Sequence, residues 1–338
     1  MFLLPYQFKW VDLDLTEITE LEKLLSFLNF NYIRDDKIGL SFDYTHDCLA
    51  LETKSPVWTK CLCIKLEYRR GKKIISSILS TLKQMTIGKK ILCISEINFL
   101  CSTKRLRKKR FVEIIIKEIK RRLNSIGIYK SMYFTRINLP ESTYFHNCYH
   151  YAINYHKLKT SKFFNKSSFA QKKYKYKKKY KFSKKPRKQK YTELRKGFFF
   201  YKAYKYVSKN YYFHWLTSPP GLTYIISMNK LNSKHIKQTF IFYFLPTRYM
   251  NKRSLFLYRA FFFLFHKKNI FFKSRIWSAI QLVKKIGLDI LDFFSSKWEN
   301  IGLSSINFQQ GTGRLNFYFF NYKYDEKTSL YENGLDFF

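Results

Sequence analysis

The sequence is short of acidic side chains, of paired cysteines and of long apolar runs. Asp and Glu total 23 against 64 Lys and Arg, a formal net charge of +41, and no acidic residue falls between Glu141 and Glu193. An excess of this size points to a polyanionic partner such as nucleic acid, the ribosome or an acidic membrane surface. Abundant Lys, Asn, Ile, Phe and Tyr together are also what an AT-rich genome produces, so charge alone assigns no function. The six cysteines (Cys48, Cys61, Cys63, Cys93, Cys101 and Cys148) contain no C-x-x-C and no regular spacing. They read as reduced thiols, which excludes a disulfide scaffold and a cysteine zinc site. No run approaches a membrane span; the densest, residues 260–265, stops at His266-Lys267-Lys268. The opening Met1-Phe2-Leu3-Leu4-Pro5 is too short for a signal peptide and lacks a basic leader. The expectation is a cytoplasmic protein.

What is present is a foldable chain. It has 338 residues, 46% of them hydrophobic, enough for two domains or one large fused unit. Residues 8–158 have mixed composition. Residues 10–31 read as a helix with Leu21, Leu24, Leu25 and Leu28 on one face, residues 91–100 as a buried strand, and residues 106–124 as an amphipathic helix through Phe111, Ile115, Ile119 and Leu123. From 159 to 197 the chain turns basic, with Lys interspersed by Tyr and Phe. That reads as a linker or surface insertion, although alternating Tyr and Lys could also stack on single-stranded RNA. A second compact region, 198–338, carries strands at 236–245 and 315–322 and a helix at 277–286 ended by Gly287. His146 and His150 lie four apart, but no third ligand accompanies them and no metal site is expected.

The most informative feature is Glu96-Ile97-Asn98-Phe99-Leu100-Cys101, a strand leading through a basic turn (Lys104, Arg105, Arg107 to Arg110) into the helix. Bare amides at a helix start, with the helix dipole and added guanidinium groups, suit a pyrophosphate. This segment resembles the signature of the N-myristoyltransferases, in which E-I-N-F-L-C precedes a basic turn. Further matches follow in order: Phe8-Lys9-Trp10 with Leu13-Asp14-Leu15, Asn31-Tyr32 with Asp35-Asp36, Phe42-Asp43-Tyr44, Leu139-Pro140, His150 with Asn154, Phe242-Tyr243 with Leu245-Pro246, Gly287 with Asp289, Gly311 with Gly313, and Gly334-Leu335.

The resemblance implies an α+β fold of two fused acetyltransferase-like (GNAT-type) halves, pseudo-twofold about a saddle-shaped mixed sheet. It assigns residues 5–158 to acyl-CoA, 159–197 to the basic insertion and 198–338 to the peptide groove. The implied activity is transfer of a myristoyl group from myristoyl-CoA, a substrate rather than a bound cofactor, to N-terminal glycine peptides. Implied catalytic groups are the backbone amides of Phe99 and Leu100, as donors to the oxyanion, and the α-carboxylate of Phe338 as base. Implied acyl-CoA contacts are Cys101, Ser102, Arg107, Lys108, Arg110, Phe111 and Val112. Implied peptide contacts are Tyr32, Asp35, Asp36, Phe42, Tyr44, Asn98, His150, Phe261, Asp292 and Gly313. A monomer is expected, with ribosome contact through the basic insertion. The chain departs from the family pattern at Arg34, Phe134, Arg136, Phe261 and Thr312, which favours altered peptide selection or reduced activity. Two other readings stay open: a relative that binds without turnover, and a basic protein that binds RNA or ribosomes.

Overall fold

The computed structural model describes residues 4–35, 39–53, 56, 62–87, 89–107, 109–140, 142–161, 163, 180–183, 203–206, 208–216, 221–230, 236–250, 255–264, 276–277, 280–281, 283–295, 303–323 and 333–334. The first region opens with strand β1 (Phe8–Asp12), helix α1 (Ile18–Asn31), short strands β2 (Arg34–Asp35) and β3 (Leu40–Phe42), and helix α2 (His46–Thr53). It continues through β4 (Cys63–Tyr68), β5 (Lys73–Ile87), β6 (Lys90–Ser102), helix α3 (Phe111–Ser125), β7 (Ser131–Thr135), β8 (Tyr144–Ala152) and helix α4 (Tyr155–Thr160).

Three sequence readings shift here. Residues 10–12 are strand, not helix: Trp10 pairs with Leu66. The carboxylate of Asp14 then accepts the Thr16 amide at 3.1 Å, a side-chain-closed turn that delays the helix to Ile18. From there Leu21, Leu24 and Leu28 are buried as the spacing required. β6 is buried only in part. Its first residues pair with the far end of β5, but β7 begins alongside only at Ser95, which leaves Ile91 69% exposed. The long helix starts at Phe111 because residues 104–106 form a 3-10 turn and Arg110 takes a left-handed conformation, φ 60°. Its stripe Phe111, Ile115, Ile119 and Leu123 is buried, the last three against Leu62, Ile64 and Ile78 of the sheet.

After α4 come β9 (Tyr180–Ser183), β10 (Ala203–Lys205), helix α5 (Lys209–Leu216), β11 (Thr223–Lys230), β12 (Ile236–Phe244), β13 (Thr247–Tyr249), β14 (Phe256–Leu257), β15 (Arg259–Leu264), β16 (Ile290–Ser295), β17 (Gln309–Phe320) and β18 (Asn333–Gly334). β9 falls within the basic stretch and edges the sheet by pairing with β11. The spacing around Gly287 holds: Gly287 has φ 83°, which glycine tolerates, and its amide closes on the Lys284 carbonyl at 3.3 Å.

The main sheet runs β1-β4-β5-β6-β7-β17-β8-β16-β15-β12-β11-β9. Its pairing reads the same in both directions from the central β17–β8 pair. Outward from β17, β7 is antiparallel, β6 parallel to β7, and β5 antiparallel to β6. Outward from β8, β16 is antiparallel, β15 parallel to β16, and β12 antiparallel to β15. The two halves thus exchange their last strands: β17, late in the chain, sits beside β7, and β8, from the first region, sits beside β16. This is the two-fold, mixed α+β architecture expected from the sequence.

A second sheet, β14-β13-β3-β2, joins the regions again by pairing Phe42 with Thr247. β10 lies antiparallel to β5, with Lys205 opposite Met85, and β18 runs parallel to β10. The chain therefore leaves Gly334 heading down β5 toward Leu79, the partner of Asn98. No helix among the described residues is long and apolar enough to cross a membrane.

Candidate active site

The site forms where β6 and β7 part. Their parallel pairing covers three positions and ends at Ile97 opposite Tyr133. On the other side, the β5–β6 register jumps from Leu79–Asn98 to Ser77–Cys101, so Phe99 and Leu100 stand outside the ladder. Phe99 takes φ 49°, a left-handed conformation costly for a bulky residue, so the bulge is built in rather than incidental. Ser77 Oγ donates to the Phe99 carbonyl at 3.3 Å and Ser76 Oγ to the Cys101 carbonyl at 2.8 Å, pinning the bulge from below. Tyr32 is hydrogen-bonded by the Phe99 backbone. Burial raises the pKa of Tyr32, and this bond draws it the other way. A backbone group lowers a phenol's pKa only by donating its amide, so the Phe99 N–H points at a place already occupied by an oxygen.

Around the bulge is an aromatic cluster of Tyr32, Phe42, Tyr44, Phe99, Phe261 and Phe294. Phe99 lies 5.7 Å from Tyr32 and 5.6 Å from Tyr44, Phe42 lies 5.9 Å from Phe261, and Phe261 stacks on Phe294 at 5.7 Å, all centroid to centroid. These rings come from α1's end, β3, β6, β15 and β16, elements that only the exchanged sheets bring together. Four of the six were expected to line a peptide groove.

The opposite wall is ionic. His150 Nδ1 bonds Asp292 Oδ1 at 2.5 Å, and Arg259 holds Oδ2 through Nε at 2.7 Å and Nη2 at 2.6 Å. Asp292 is fully buried. Burial works to raise its pKa, but Arg259 and His150 outweigh it and keep the carboxyl below its usual range. Burial likewise works to neutralise His150, but Cys148 and Asp292 outweigh it and raise its pKa to about 10. His150 is therefore a cation at neutral pH. Its Nε2 faces Gly311, where an added Cβ would sit only 2.4 Å away, so only glycine leaves room for the ring. Cys148, His150 and Asp292 have ligand atoms within 4.8 Å of one another, a spacing that could suit a cation. Both Asp292 oxygens are already bonded, and Arg259 and His150 supply positive charge, so the donor set does not fit a metal.

On the other side of the bulge, Cys101 is buried, and burial pushes its thiol up to about 12, against the pull of Arg107. A neutral thiol is no nucleophile. Arg107 donates to the Asn31 carbonyl at 2.7 Å, which ties the basic turn to α1. Arg110 is exposed at the start of α3, with Val112 half-buried behind it. Phe111 packs on Phe8 at 5.0 Å within a small core. Ser102 is buried beside Ser76, and Asn98 is the last paired residue before the bulge. Gly313 lies in the β17 bulge between Gln310 and Arg314. Asp35 is described only by its backbone, and Asp36, Lys108 and Phe338 lie outside the described residues. Sequence reasoning missed Arg259 and Cys148; neither sits in a recognisable motif, and only strand register places them beside His150.

A parted pair of parallel strands, a bulge outside the ladder and a basic helix start are the parts an acetyltransferase-like acyl transferase needs. The chain is similar to the N-myristoyltransferases over most of its length. A family model, "Myristoyl-CoA:protein N-myristoyltransferase, N-terminal domain", matches residues 1–145. The glycylpeptide N-tetradecanoyltransferase of Plasmodium falciparum is 28% identical over 336 residues, covering 95% of this chain and 80% of that protein. The enzyme of the same name from Saccharomyces cerevisiae is 26% identical, covering 94% of this chain and 77% of its own. A crystal structure of Saccharomyces cerevisiae N-myristoyltransferase with bound myristoyl-CoA superposes with a TM-score of 0.83 at 24% identity, over 95% of this chain and 84% of that one.

Proposed function

We propose that this chain transfers the myristoyl group of myristoyl-CoA to the N-terminal glycine amine of substrate proteins. The observation that carries the reading is the break in β6 at Phe99 and Leu100, in the mouth between β6 and β7. The glycine nitrogen attacks the thioester carbonyl, the carbon–sulfur bond breaks, and CoA leaves as thiolate. Negative charge gathers on the carbonyl oxygen between, where the amides of Phe99 and Leu100 hold it; a fixed donor of this kind is worth about 3 kcal/mol. Incoming oxygen displaces the Tyr32 hydroxyl from the Phe99 amide.

The attacking amine must be neutral, and in this proposal the carboxylate of Phe338 takes its proton. The heading of β18 down β5 toward the partner of Asn98 supports that role. Residues 5–158 hold the acyl-CoA, with Cys101, Ser102, Arg107, Lys108, Arg110, Phe111 and Val112 around the thioester and phosphates. Residues 198–338 supply most of the peptide groove, with Tyr32, Asp35, Asp36, Phe42, Tyr44, Asn98 and His150 contributed from the first region and Phe261, Asp292 and Gly313 from the second. The protein acts as a cytosolic monomer, and residues 159–197 contact ribosomes that carry its nascent clients. The test is incubation with labelled myristoyl-CoA and Gly-initiated peptides. Product stable to hydroxylamine, as an amide is, supports the reading; absence of peptide product, or label released by hydroxylamine, refutes it.

A further inference from the structure

We propose that Arg136 selects substrates by pairing with an acidic side chain close to the substrate's N-terminus. The inference rests on the transferase reading above and names a specificity that this reading leaves open. Arg136 follows the last residue of β7, just beyond the point where β6 and β7 separate, and its side chain is exposed. Its Nη2, Nε and Cζ atoms lie 3.3, 3.7 and 3.8 Å from where a Cβ on Gly313 would be. These distances set the Nε–Nη2 edge of the guanidinium against the β17 bulge, with Gly313 leaving the space for it.

The same bulge presents Gly311 to His150, so Arg136 covers the bulge beside the ionic wall. Its charge reaches the aromatic cluster: it acts on the Tyr44 hydroxyl, opposing the burial that raises that group's pKa. The Tyr44 ring is 5.6 Å from Phe99. A ligand carboxylate at Arg136 is therefore only a few residues from an amine held at the Phe99 bulge.

The carboxylates of the ionic wall and of the residue before Tyr44 are committed elsewhere. Asp292 is shared by His150 and Arg259, and Asp43 faces Arg248 at 3.7 Å. Among the described residues no ion pair to Arg136 is formed. A guanidinium already seated on one edge loses less freedom on pairing and can grip a carboxylate through Nη1 and Nη2 with two parallel bonds. The same charge repels a lysine at that place, so selectivity arises from repulsion as well as attraction.

The test uses the full chain, myristoyl-CoA and Gly-initiated peptides carrying Asp, Asn or Lys at each of the positions after the glycine in turn. At one position the expected KM is lowest for Asp, about fivefold or more below Asn and further below Lys, with little change in kcat. Arg136→Gln should flatten this series and Arg136→Glu should invert it in favour of Lys, while the KM for myristoyl-CoA stays the same in all three proteins. Ratios between peptides within one variant do not depend on the fraction of folded protein. A series that is flat in the native chain, or that Arg136→Gln leaves unaltered, overturns the proposal. If no peptide turns over at all, the transferase reading fails separately. Anisotropy of the labelled Asp and Asn peptides on the acyl-CoA-loaded protein then decides this one: tighter Asp binding lost in Arg136→Gln supports it, and equal binding overturns it.

Discussion

Asp292 is the residue on which the ionic wall turns. It balances two cations, the buried Arg259 and the partly buried His150, and removing its charge takes that balance from both. Asp292→Asn should therefore destabilise the protein by about 3 kcal/mol or more, measurable as a lowered urea midpoint. The same wall predicts a pH dependence. The pKa of His150 is about 10 in the folded chain against an ordinary value of 6.5. The stability it contributes is complete below the unfolded value and is lost as pH rises from there through about 10. Unfolding free energy should fall across that window, and His150→Gln should remove that part of the decline.

His150 was legible in the sequence as a motif position and Asp292 only as a contact implied by the resemblance; their partnership was not legible. Asp292 reaches His150 through the β16–β8 register and Arg259 through the two strands β15 and β16, contacts spanning 142 and 33 residues of sequence. Side-chain pattern within one strand does not encode which strand lies beside it.

Among the elements, β6 and α3 position the chemistry. The stripe on α3 could be read directly, because a four-residue recurrence of Phe and Ile has few folded solutions besides a buried helix face. Its start could not, since the 3-10 turn and the left-handed Arg110 follow from how the turn meets β5: the Thr103 amide bonds the Ile75 carbonyl at 2.9 Å. Arg110→Gly keeps that backbone conformation without steric cost. It should leave stability within about 1 kcal/mol, while weakening acyl-CoA binding roughly tenfold through loss of a charge-assisted contact. A thermal melt and the KM for myristoyl-CoA check the two halves of that expectation. The bulge in β6 makes a sharper demand. Exchanging the amide preceding the Leu100 α-carbon for an ester removes one N–H and little else, and it should lower kcat about 100-fold while the acyl-CoA dissociation constant stays within a few-fold.

At the scale of the whole molecule, the exchange of β8 and β17 makes one site from two halves. The aromatic cluster draws on both, so neither region is expected to complete the groove alone. The order of family motifs along the sequence foretold two halves, but not the exchange, because motif order is silent on which strands become neighbours. β18 points down β5 toward the centre of this arrangement, in line with the proposed role of Phe338. Adding several residues after Phe338 should abolish transfer and leave acyl-CoA binding within a few-fold, read by turnover and calorimetry on the same preparation; full turnover of the extended chain contradicts the base assignment.

In the proposed reaction the acyl carbonyl rests on the β6 bulge. A crystal structure with a ketone analogue of myristoyl-CoA, in which a methylene separates sulfur from the carbonyl, tests it most directly. The carbonyl oxygen is expected within about 3 Å of the Phe99 and Leu100 nitrogens, with the Tyr32 hydroxyl moved aside. A carbonyl oxygen bound elsewhere, with Tyr32 still seated on the Phe99 amide, contradicts it.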